Sequence, residues 1–468
     1  MNKKVIGLLA VAGALALSLV AARFDRSNTD RYHQHMEEPA FTPASEEAAA
    51  EFSTHLPIVS LKTGGQKIPG EVKDGTTISA RLEVRDGGQG CNSLRDEPGL
   101  VSDIQLRYRG NSSLWFDKKP YRIKLLEADG ESNAQEMLGM PKEDEWILNG
   151  PFLDKSLLRS YMLMNISGEV MSTAPEVRYC ELFLDGTYQG VYVMMESVSR
   201  SQASLGKSVD GRAETSYLVR LDRGGDVNLN TLGMYGMLMD SVVNVVYPTQ
   251  YNCTPEQMEY ITRDISQFEK ALYSFDYDDS KEGYRNYINV DSFVDYMVLN
   301  EFFQNYDAMS YSTYFYRPVG GKISMGPVWD FNNALDNYIE SSFDATGFVF
   351  PEDAWYTMLC KDERFVQQVI DRYRQLRRTV LSEEYLQSYV DDTVAWLGTA
   401  VDRNFEVWGY TFQPEFGLLE PMERNIGSYE EAVSQVKDFL TRRGAWLDEN
   451  IELLYQYCHP SATKKYQH

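Results

Sequence analysis

The stretch from Gln304 to Asn337 constrains the fold of this chain more than any other. Aromatic residues and Thr alternate through STYFYR, Gly320 and Gly321 supply a turn, and KISMGPVW returns. This pattern predicts two strands joined by a tight loop. Asp307 lies just before the first strand and Asp330 just after the second. Because the strands of a hairpin are antiparallel, both carboxylates are expected at one edge of the sheet, as a metal or acid/base site.

Protein kinases use the same layout, with a catalytic-loop Asp before a short hairpin and a metal-binding Asp-Phe after it. In this chain the second aspartate is followed by Phe331. A structural alternative stays open for each aspartate taken alone. Asp307 is then a turn residue, and Asp330 is the N-cap of a helix over NNALDN.

Length and composition indicate a globular protein. The 468 residues, 43% of them hydrophobic, suffice for a sizeable core in one large domain or in two or three ordinary ones. The net charge of -24, from 69 acidic and 45 basic residues, argues against general nucleic-acid binding, because phosphate backbones are bound chiefly by Lys and Arg.

Histidine and cysteine exclude several kinds of site. All five histidines lie in the first 55 or the last 10 residues, so the body of the chain has no His for a triad, a general base or a metal. The cysteines are odd in number and lack a CxxC, which disfavours a zinc site and allows at most two disulfides. They are Cys91, Cys180, Cys253, Cys360 and Cys458. Any catalysis or binding by the body of the chain is therefore expected to use carboxylate, Lys/Arg or hydroxyl groups.

The N-terminus predicts export. Two lysines precede about 18 apolar residues that end in Val20-Ala21-Ala22, a pattern typical of a secretory signal peptide and close to that of a short membrane anchor. The protein is therefore expected to be secreted or tethered to the outer face of the membrane. Residues 23–55, rich in Ala, Glu, Ser and Thr, predict a flexible linker.

From Ile104 the chain predicts two strands, IQLRYRG and PYRIKL, flanking a polar turn. The groups at the turn that can wrap an anion are Arg109, Asn111, Ser112 and Ser113. Alternation in PYRIKL places Arg122 and Lys124 on the face opposite Tyr121, Ile123 and Leu125. Either a phosphate-binding face or an ordinary solvated hairpin accounts for this stretch.

The following segments predict further elements. EWILNG predicts a strand, and a helix with a buried apolar stripe is expected from Asp154. Asp185-Gly186 marks the turn of another hairpin, whose second strand ends at Glu196, an edge charge or a ligand contact. The segment FVDYMVLNEFFQN predicts a core helix behind Asp307, and the chain after Asn337 predicts a mainly helical part.

Several of these segments together carry a resemblance to a known family. RGNSS with KKPYRIKL, EWILNGPFLDKSLLRS, DGTYQGVYVMMES, YLVRLDR, NYDAMSYSTYFY and GPVWDFN resemble, in that order, the spore-coat-protein-H (CotH) kinase family. The resemblance extends from about Leu56 to Ile451. It implies an α+β, atypical protein-kinase-like fold with a β-rich N-terminal lobe and a mainly helical C-terminal lobe. The implied kinase-like domain is 56–455, with a β-rich entry (56–103), an N-terminal lobe (104–225), a C-terminal lobe (226–455) containing the catalytic hairpin (305–332), and a polar tail (456–468).

The resemblance also implies an activity: transfer of the γ-phosphate of ATP, with Mg²⁺ or Mn²⁺, to Ser/Thr hydroxyls of a secreted or surface protein. Asp307 then resembles the catalytic-loop aspartate and Asp330 the metal-binding one, while Glu196 resembles a hinge residue near the adenine. The implied phosphate side comprises Arg109, Asn111, Ser112 and Lys124, with Lys119 as the second choice for the phosphate-binding lysine. Contact with a membrane is expected only through the N-terminal segment.

Two departures from the kinase pattern qualify the metal site. Kinases place Asn five residues after the catalytic-loop Asp, and this chain has Ser312 there. Many family members have a carboxylate where this chain has Asn332. Asp330, helped by Ser312 or Asn332, is the expected metal-ligand set. The departures leave open an alternative function, a catalytically weak or inactive kinase-like binding protein of the surface or envelope.

Overall fold

The structure is a computed structural model that describes residues 31–39, 52–70, 75–87, 91–209, 211–224, 228–229 and 241–459. The predicted signal peptide or anchor over 1–22 and most of the predicted tail lie outside the described residues. None of the helices in the described ranges is long and apolar enough to cross a membrane.

The described part of the chain mixes strands and helices. The strands are β1 (Ser53–Thr54), β2 (Ile58–Lys62), β3 (Ile78–Arg85), β4 (Asn92–Ser93), β5 (Leu100–Tyr108), β6 (Tyr121–Leu126), β7 (Gln135–Met137), β8 (Met140–Glu143), β9 (Glu145–Asn149), β10 (Val177–Leu184), β11 (Thr187–Glu196), β12 (Tyr217–Asp222), β13 (Asn228–Leu229), β14 (Val242–Tyr247), β15 (Thr313–Arg317) and β16 (Ser324–Met325). The α-helices are α1 (Gln34–Glu37), α2 (Arg159–Val170), α3 (Pro255–Leu272), α4 (Val290–Phe303), α5 (Tyr356–Leu359), α6 (Glu363–Leu376), α7 (Glu383–Leu397), α8 (Thr399–Trp408) and α9 (Tyr429–Asn450).

The N-terminal half is built on a closed barrel in the order β10, β11, β9, β6, β5, β3 and β2. Neighbouring strands are antiparallel except β2 and β10, whose parallel pairing closes the barrel with Ile58 opposite Glu181. Apolar side chains that alternate along each strand fill the interior, as Ile123 and Trp146 do with no exposed surface. The alternation predicted for PYRIKL is confirmed, because its apolar residues are buried while Arg122 and Lys124 are partly exposed.

A second sheet has the order β13, β14, β12, β15 and β16. Strands β15 and β16 are the predicted hairpin, paired antiparallel with Phe315 opposite Met325. Strand β12 pairs with β15, so that Leu221 lies opposite Thr313. The lobe boundary at residue 225 stays a prediction, although β12 already belongs to the sheet that holds the hairpin.

The C-terminal half is mainly helical, so the mixed α+β organisation with a β-rich N-terminal part and a helical C-terminal part is confirmed. Helix α4 is buried on nearly all sides, with Phe293, Met297 and Phe302 fully enclosed, which confirms that its apolar residues are core. The helix expected from Asp154 begins five residues later, at Arg159. The reason is that the Asp154 carboxylate accepts the Arg159 backbone N–H at 2.7 Å across an intervening turn.

The prediction of a flexible linker over 23–55 is wrong for residues 31–39. Arg31 is buried and donates hydrogen bonds to the carbonyls of Ala174 (3.0 Å) and Pro175 (2.5 Å). Gln34 binds both backbone groups of Tyr179, accepting from its N–H at 2.8 Å and donating to its carbonyl at 3.3 Å. Polar side chains anchor this segment to backbone groups, so it docks without the apolar periodicity that would have revealed it in the sequence.

Candidate active site

Residues from the barrel and from the second sheet line one cleft of about 2290 Å³. Strands β6 and β9 contribute charged side chains to one wall, and the loops at the ends of the β15–β16 hairpin contribute Asp307 and Asp330 to another. The antiparallel hairpin therefore brings both aspartates into one cavity, as the sequence predicted from their positions at its two ends.

Two consecutive asparagines hold the two aspartates. Asn333 Nδ2 donates to Asp307 Oδ2 at 2.6 Å, and Asn332 Nδ2 donates to Asp330 Oδ1 at 2.6 Å. Both asparagines belong to the 3-10 turn that begins at Phe331. One short turn thus fixes both carboxylates.

The backbone at the site is unusual for non-glycine residues. Asp330 has φ 58° and ψ 68°, and its side chain makes no capping hydrogen bond with any residue that the structure describes. The helix considered over NNALDN does not form, and Asp330 is instead the N-cap residue of the short 3-10 turn Phe331–Asn333. Gln304, Met309 and Ser312 also have positive φ, at 44°, 68° and 51°. Left-handed backbone at non-glycine residues costs energy and concentrates at functional sites.

Electrostatics distinguish the two carboxyls from ordinary surface groups. Burial raises the pKa of Asp307 to about 6, and the charge of Asp330 is the next cause. Burial also raises the pKa of Asp330, against the opposing effect of the Arg109 guanidinium. Asp222, at the end of β12, adds further negative charge that raises both pKa values. A cation bound between these groups would relieve their repulsion.

The donor set fits a hard divalent cation such as Mg²⁺ in one respect: it offers carboxylate, amide and hydroxyl oxygens. Within the described ranges, no three or more His, Cys, Asp or Glu side chains form a group that could hold a metal ion. An ion at Asp330 would therefore depend on neutral protein groups, substrate phosphates and water, which is the usual situation for Mg²⁺ at nucleotide sites.

The two neutral candidates for the metal face the cleft differently. Ser312 lines it directly. Asn332 also lines it, but its amide nitrogen faces Asp330 while its Oδ1 accepts from Ser160 Oγ at 3.3 Å. Ser160 Oγ in turn accepts from Asn149 Nδ2 at 2.8 Å, which links the amide to the end of β9.

Arg159, the first residue of α2, ties the barrel side of the cleft to the segment that follows Asp330. It is buried, and its Nη1 donates to Asp154 Oδ1 at 2.7 Å. Its Nε and Nη2 donate to the carbonyls of Ala334 at 2.9 Å and Leu335 at 3.0 Å. The position of the aspartate-bearing turn therefore depends on a buried ion pair.

The proposed phosphate side lines the same cleft through Arg109, Asn111, Ser112 and Lys124. The Arg109 guanidinium lies 5.5 Å from the ring centroid of Trp329, the residue before Asp330. Burial lowers the pKa of Arg109, and nearby anionic groups oppose this effect. Arg109 is thus a partly buried cation close enough to Asp330 for their charges to interact.

Two predicted site residues do not join the others. Among the described residues, neither Lys119 nor Glu196 is part of the cleft wall. Lys119 Nζ donates to the Leu114 carbonyl at 2.6 Å, and Glu196 Oε2 accepts from the Glu176 N–H at 2.7 Å. Burial raises the pKa of Glu196 to about 7. The residues on either side of Glu196, Met195 and Ser197, do line the cleft.

The cleft also contains Glu145 and Arg223, which sequence reasoning did not assign to a site, and Arg122, which it placed only on a possible phosphate-binding face. Arg122 on β6 forms an ion pair with Glu145 on β9, and Ser197 Oγ donates to the same carboxylate at 3.0 Å. On the loop after β12, the Arg223 guanidinium lies 3.6 Å from the centroid of the Tyr311 ring, close to Asp307. The alternation of apolar and charged residues in YRIKL and YLVRLD could have indicated that these charged residues share one face of a strand. Which charged side chains contact each other depends on the strand register, which the sequence pattern does not give.

Comparison of the sequence with known proteins identifies a family. The profile of the family described as CotH kinase protein matches residues 106–447. The inner spore coat protein H of Bacillus subtilis (strain 168) is 20% identical over 361 residues, an alignment that covers 75% of this chain and 88% of that protein. The match confirms the resemblance inferred from the ordered motifs. The chain belongs to the CotH kinase protein family.

Proposed function

We propose that this protein is an exported atypical kinase that transfers the γ-phosphate of ATP to Ser or Thr hydroxyls of a secreted or surface protein. The observation that carries the proposal is the pair Asp307 and Asp330, held by one turn in a cleft whose other wall carries cations. Family membership supports a kinase-like function. The name of the Bacillus relative, an inner spore coat protein, supports an extracellular or coat location.

Asp307 is the proposed catalytic base or orienting group. With a pKa of about 6, its carboxylate is largely deprotonated near neutral pH and can accept the hydrogen bond of an incoming hydroxyl. Asn333 keeps one carboxylate oxygen in place. The turn N–H groups of Ser310 and Tyr311 donate to the Asp307 carbonyl and fix its backbone.

Asp330, with Ser312 or Asn332, is the proposed site for Mg²⁺ or Mn²⁺. When bound, such an ion neutralises charge on the phosphate oxygens during in-line transfer. The chain's own contribution is the Asp330 carboxylate, whose pKa is raised by burial and lowered in part by the nearby Arg109 guanidinium.

The nucleotide phosphates are proposed to lie against Arg109, Asn111, Ser112 and Lys124, whose cationic and polar groups would stabilise charge on the phosphoryl group in transit. Arg122, positioned by Glu145, adds a further cation to this wall. Lys119 and Glu196 are proposed to act from outside the cleft wall. Glu196 would shape the adenine end through its neighbours Met195 and Ser197.

The test is incorporation of label from γ-labelled ATP by the purified full-length chain, with Mg²⁺ or Mn²⁺, into itself or into a co-expressed secreted protein. Label on Ser or Thr is expected. Nucleotide with metal should also raise the melting temperature, since ligand at a hundred times its dissociation constant stabilises by roughly 2.7 kcal/mol. No melting shift at millimolar nucleotide and metal would contradict the proposal.

A second candidate function is a kinase-like binding protein of the surface or envelope with weak or no catalysis. The orientation of Asn332 favours it, because the amide nitrogen rather than the oxygen faces Asp330. The neutral hydroxyl of Ser312, where kinases use Asn, favours it as well. A nucleotide-dependent melting shift without incorporation of label would identify this function.

A further inference from the structure

The last described segment of the chain packs beside a second cysteine. The 3-10 helix Ile451–Cys458 contacts helix α6, and the Cys458 Sγ donates to the backbone carbonyl of Cys360 at 3.3 Å. Cys360 immediately follows helix α5 and is buried, whereas Cys458 is partly exposed.

We propose that Cys360 and Cys458 are a disulfide-forming pair that staples the C-terminal segment to the residue after α5. The Cys458 Sγ lies 3.3 Å from the Cys360 carbonyl oxygen, which brings it to the residue that carries the second thiol. A disulfide requires the two Cα atoms to lie roughly 4.4–6.8 Å apart, so the Cys458 segment has to reach that separation for the bridge to form. Burial raises the pKa of the Cys360 thiol, and the nearby Cys458 sulfur is the next cause, in keeping with their proximity.

The remaining cysteines occupy different places in the fold. Cys180 is buried on β10 in the barrel, Cys91 is exposed, and Cys253 precedes α3, where its Sγ donates to the Thr254 carbonyl at 3.8 Å. The pairing of Cys360 with Cys458 rests on the contact between the Cys458 Sγ and the Cys360 carbonyl oxygen, which lie 98 positions apart in the sequence. No local sequence motif predicts this contact.

The exposures of the two thiols suggest the order of the reaction. The partly exposed Cys458 thiolate attacks a small disulfide such as oxidised glutathione, forming a mixed disulfide and releasing one glutathione thiolate. The Cys360 thiolate then attacks the Cys458 sulfur, forming the protein disulfide and releasing the second glutathione. The two protein thiols lose two protons and two electrons, and the electrons reduce the glutathione disulfide. An oxidising compartment outside the cytoplasm favours the bridged form.

The bridge would anchor a segment that supports the cleft. The ring of Tyr457, the residue before Cys458, lies 6.2 Å from Phe348 in an edge-to-face arrangement. Phe348 lines the cleft. The disulfide would thus hold Tyr457 against Phe348, a residue of the cleft wall. Formation of the disulfide does not depend on the proposed phosphoryl transfer.

The test is to incubate the purified full-length chain with oxidised glutathione, alkylate it with N-ethylmaleimide under denaturing conditions, and map the peptides by mass spectrometry. We expect alkylation to fall from five thiols to three, with a dithiothreitol-sensitive peptide joining Cys360 to Cys458. Cys91→Ser should still form this bridge, and Cys458→Ser should not. Five alkylated thiols in the oxidised wild type, or a bridge between other cysteines, would overturn the proposal.

Discussion

Asp307→Asn should stabilise the protein in the absence of nucleotide. The pKa of Asp307 is about 6 in the folded protein against an ordinary value of 3.8, so the folded state binds a proton between these pH values and the unfolded state does not. The free energy of unfolding therefore falls as pH rises through this window. The difference corresponds to at most about 3 kcal/mol. Since water at the cleft screens part of it, we expect a gain of about 1–2 kcal/mol near neutral pH.

The assay is urea unfolding of the wild type and Asp307→Asn at pH 7.5 and again at pH 5.5, without nucleotide or metal. Asn keeps an oxygen that can accept the hydrogen bond from Asn333, so the substitution chiefly removes charge. The gain should be largest at pH 7.5 and smaller at pH 5.5, where much of the wild-type carboxyl is protonated. Asp276→Asn, at an exposed position outside the cleft, is the matched control and should change stability by no more than about 0.5 kcal/mol. A loss of stability in Asp307→Asn at pH 7.5 would refute the reasoning and favour a turn-stabilising role for the carboxylate.

Three further predictions concern the frame and the chemistry of the site. Arg159→Met should lower the free energy of unfolding in urea by roughly 3–5 kcal/mol, because it leaves the buried Asp154 carboxylate without its cation. Arg442→Met, at an exposed ion pair, should lower it by about 1 kcal/mol or less. Equal losses in the two variants would contradict the importance of the buried pair. Ser312→Asn should lower the Mg²⁺ concentration needed for half-maximal transfer, since an amide oxygen is the better ligand, and an unchanged requirement would place Ser312 away from the metal. Asn333→Ala removes a hydrogen bond that lowers the pKa of Asp307. In the pH profile of the transfer rate, the acidic limb should therefore move above pH 6 by roughly one pH unit. An unchanged pH profile would show that ionisation of Asp307 does not control the rate.

Local patterns in the sequence predicted the elements whose determinants are themselves local. The β15–β16 hairpin follows from alternation and a Gly-Gly turn, and the inward and outward faces of β6 follow from its period of two. Asp185-Gly186 correctly marks the β10–β11 turn, where both residues have positive φ. The burial of α4 follows from its continuous apolar composition.

Features that depend on distant contacts were not predictable in the same way. The barrel closes through parallel pairing of β2 with β10, strands more than a hundred residues apart. The docking of Arg31 depends on carbonyls and on Gly168, where an added Cβ would lie 2.7 Å from the guanidinium carbon. The left-handed backbone of Asp330 has no signature in an Asp-Phe dipeptide.

The measurement that tests the central claim most directly compares Asp330→Asn with the wild type in two assays on the same preparations. Asn preserves size but removes the charge proposed to hold the metal. Transfer of label from ATP in the presence of Mg²⁺ should fall by roughly two orders of magnitude or more, as expected when a principal electrostatic group is lost. Stability without nucleotide or metal should not decrease, because burial already raises the pKa of this carboxyl and disfavours its charge. Wild-type transfer rates in Asp330→Asn would contradict the proposed metal-binding role of Asp330.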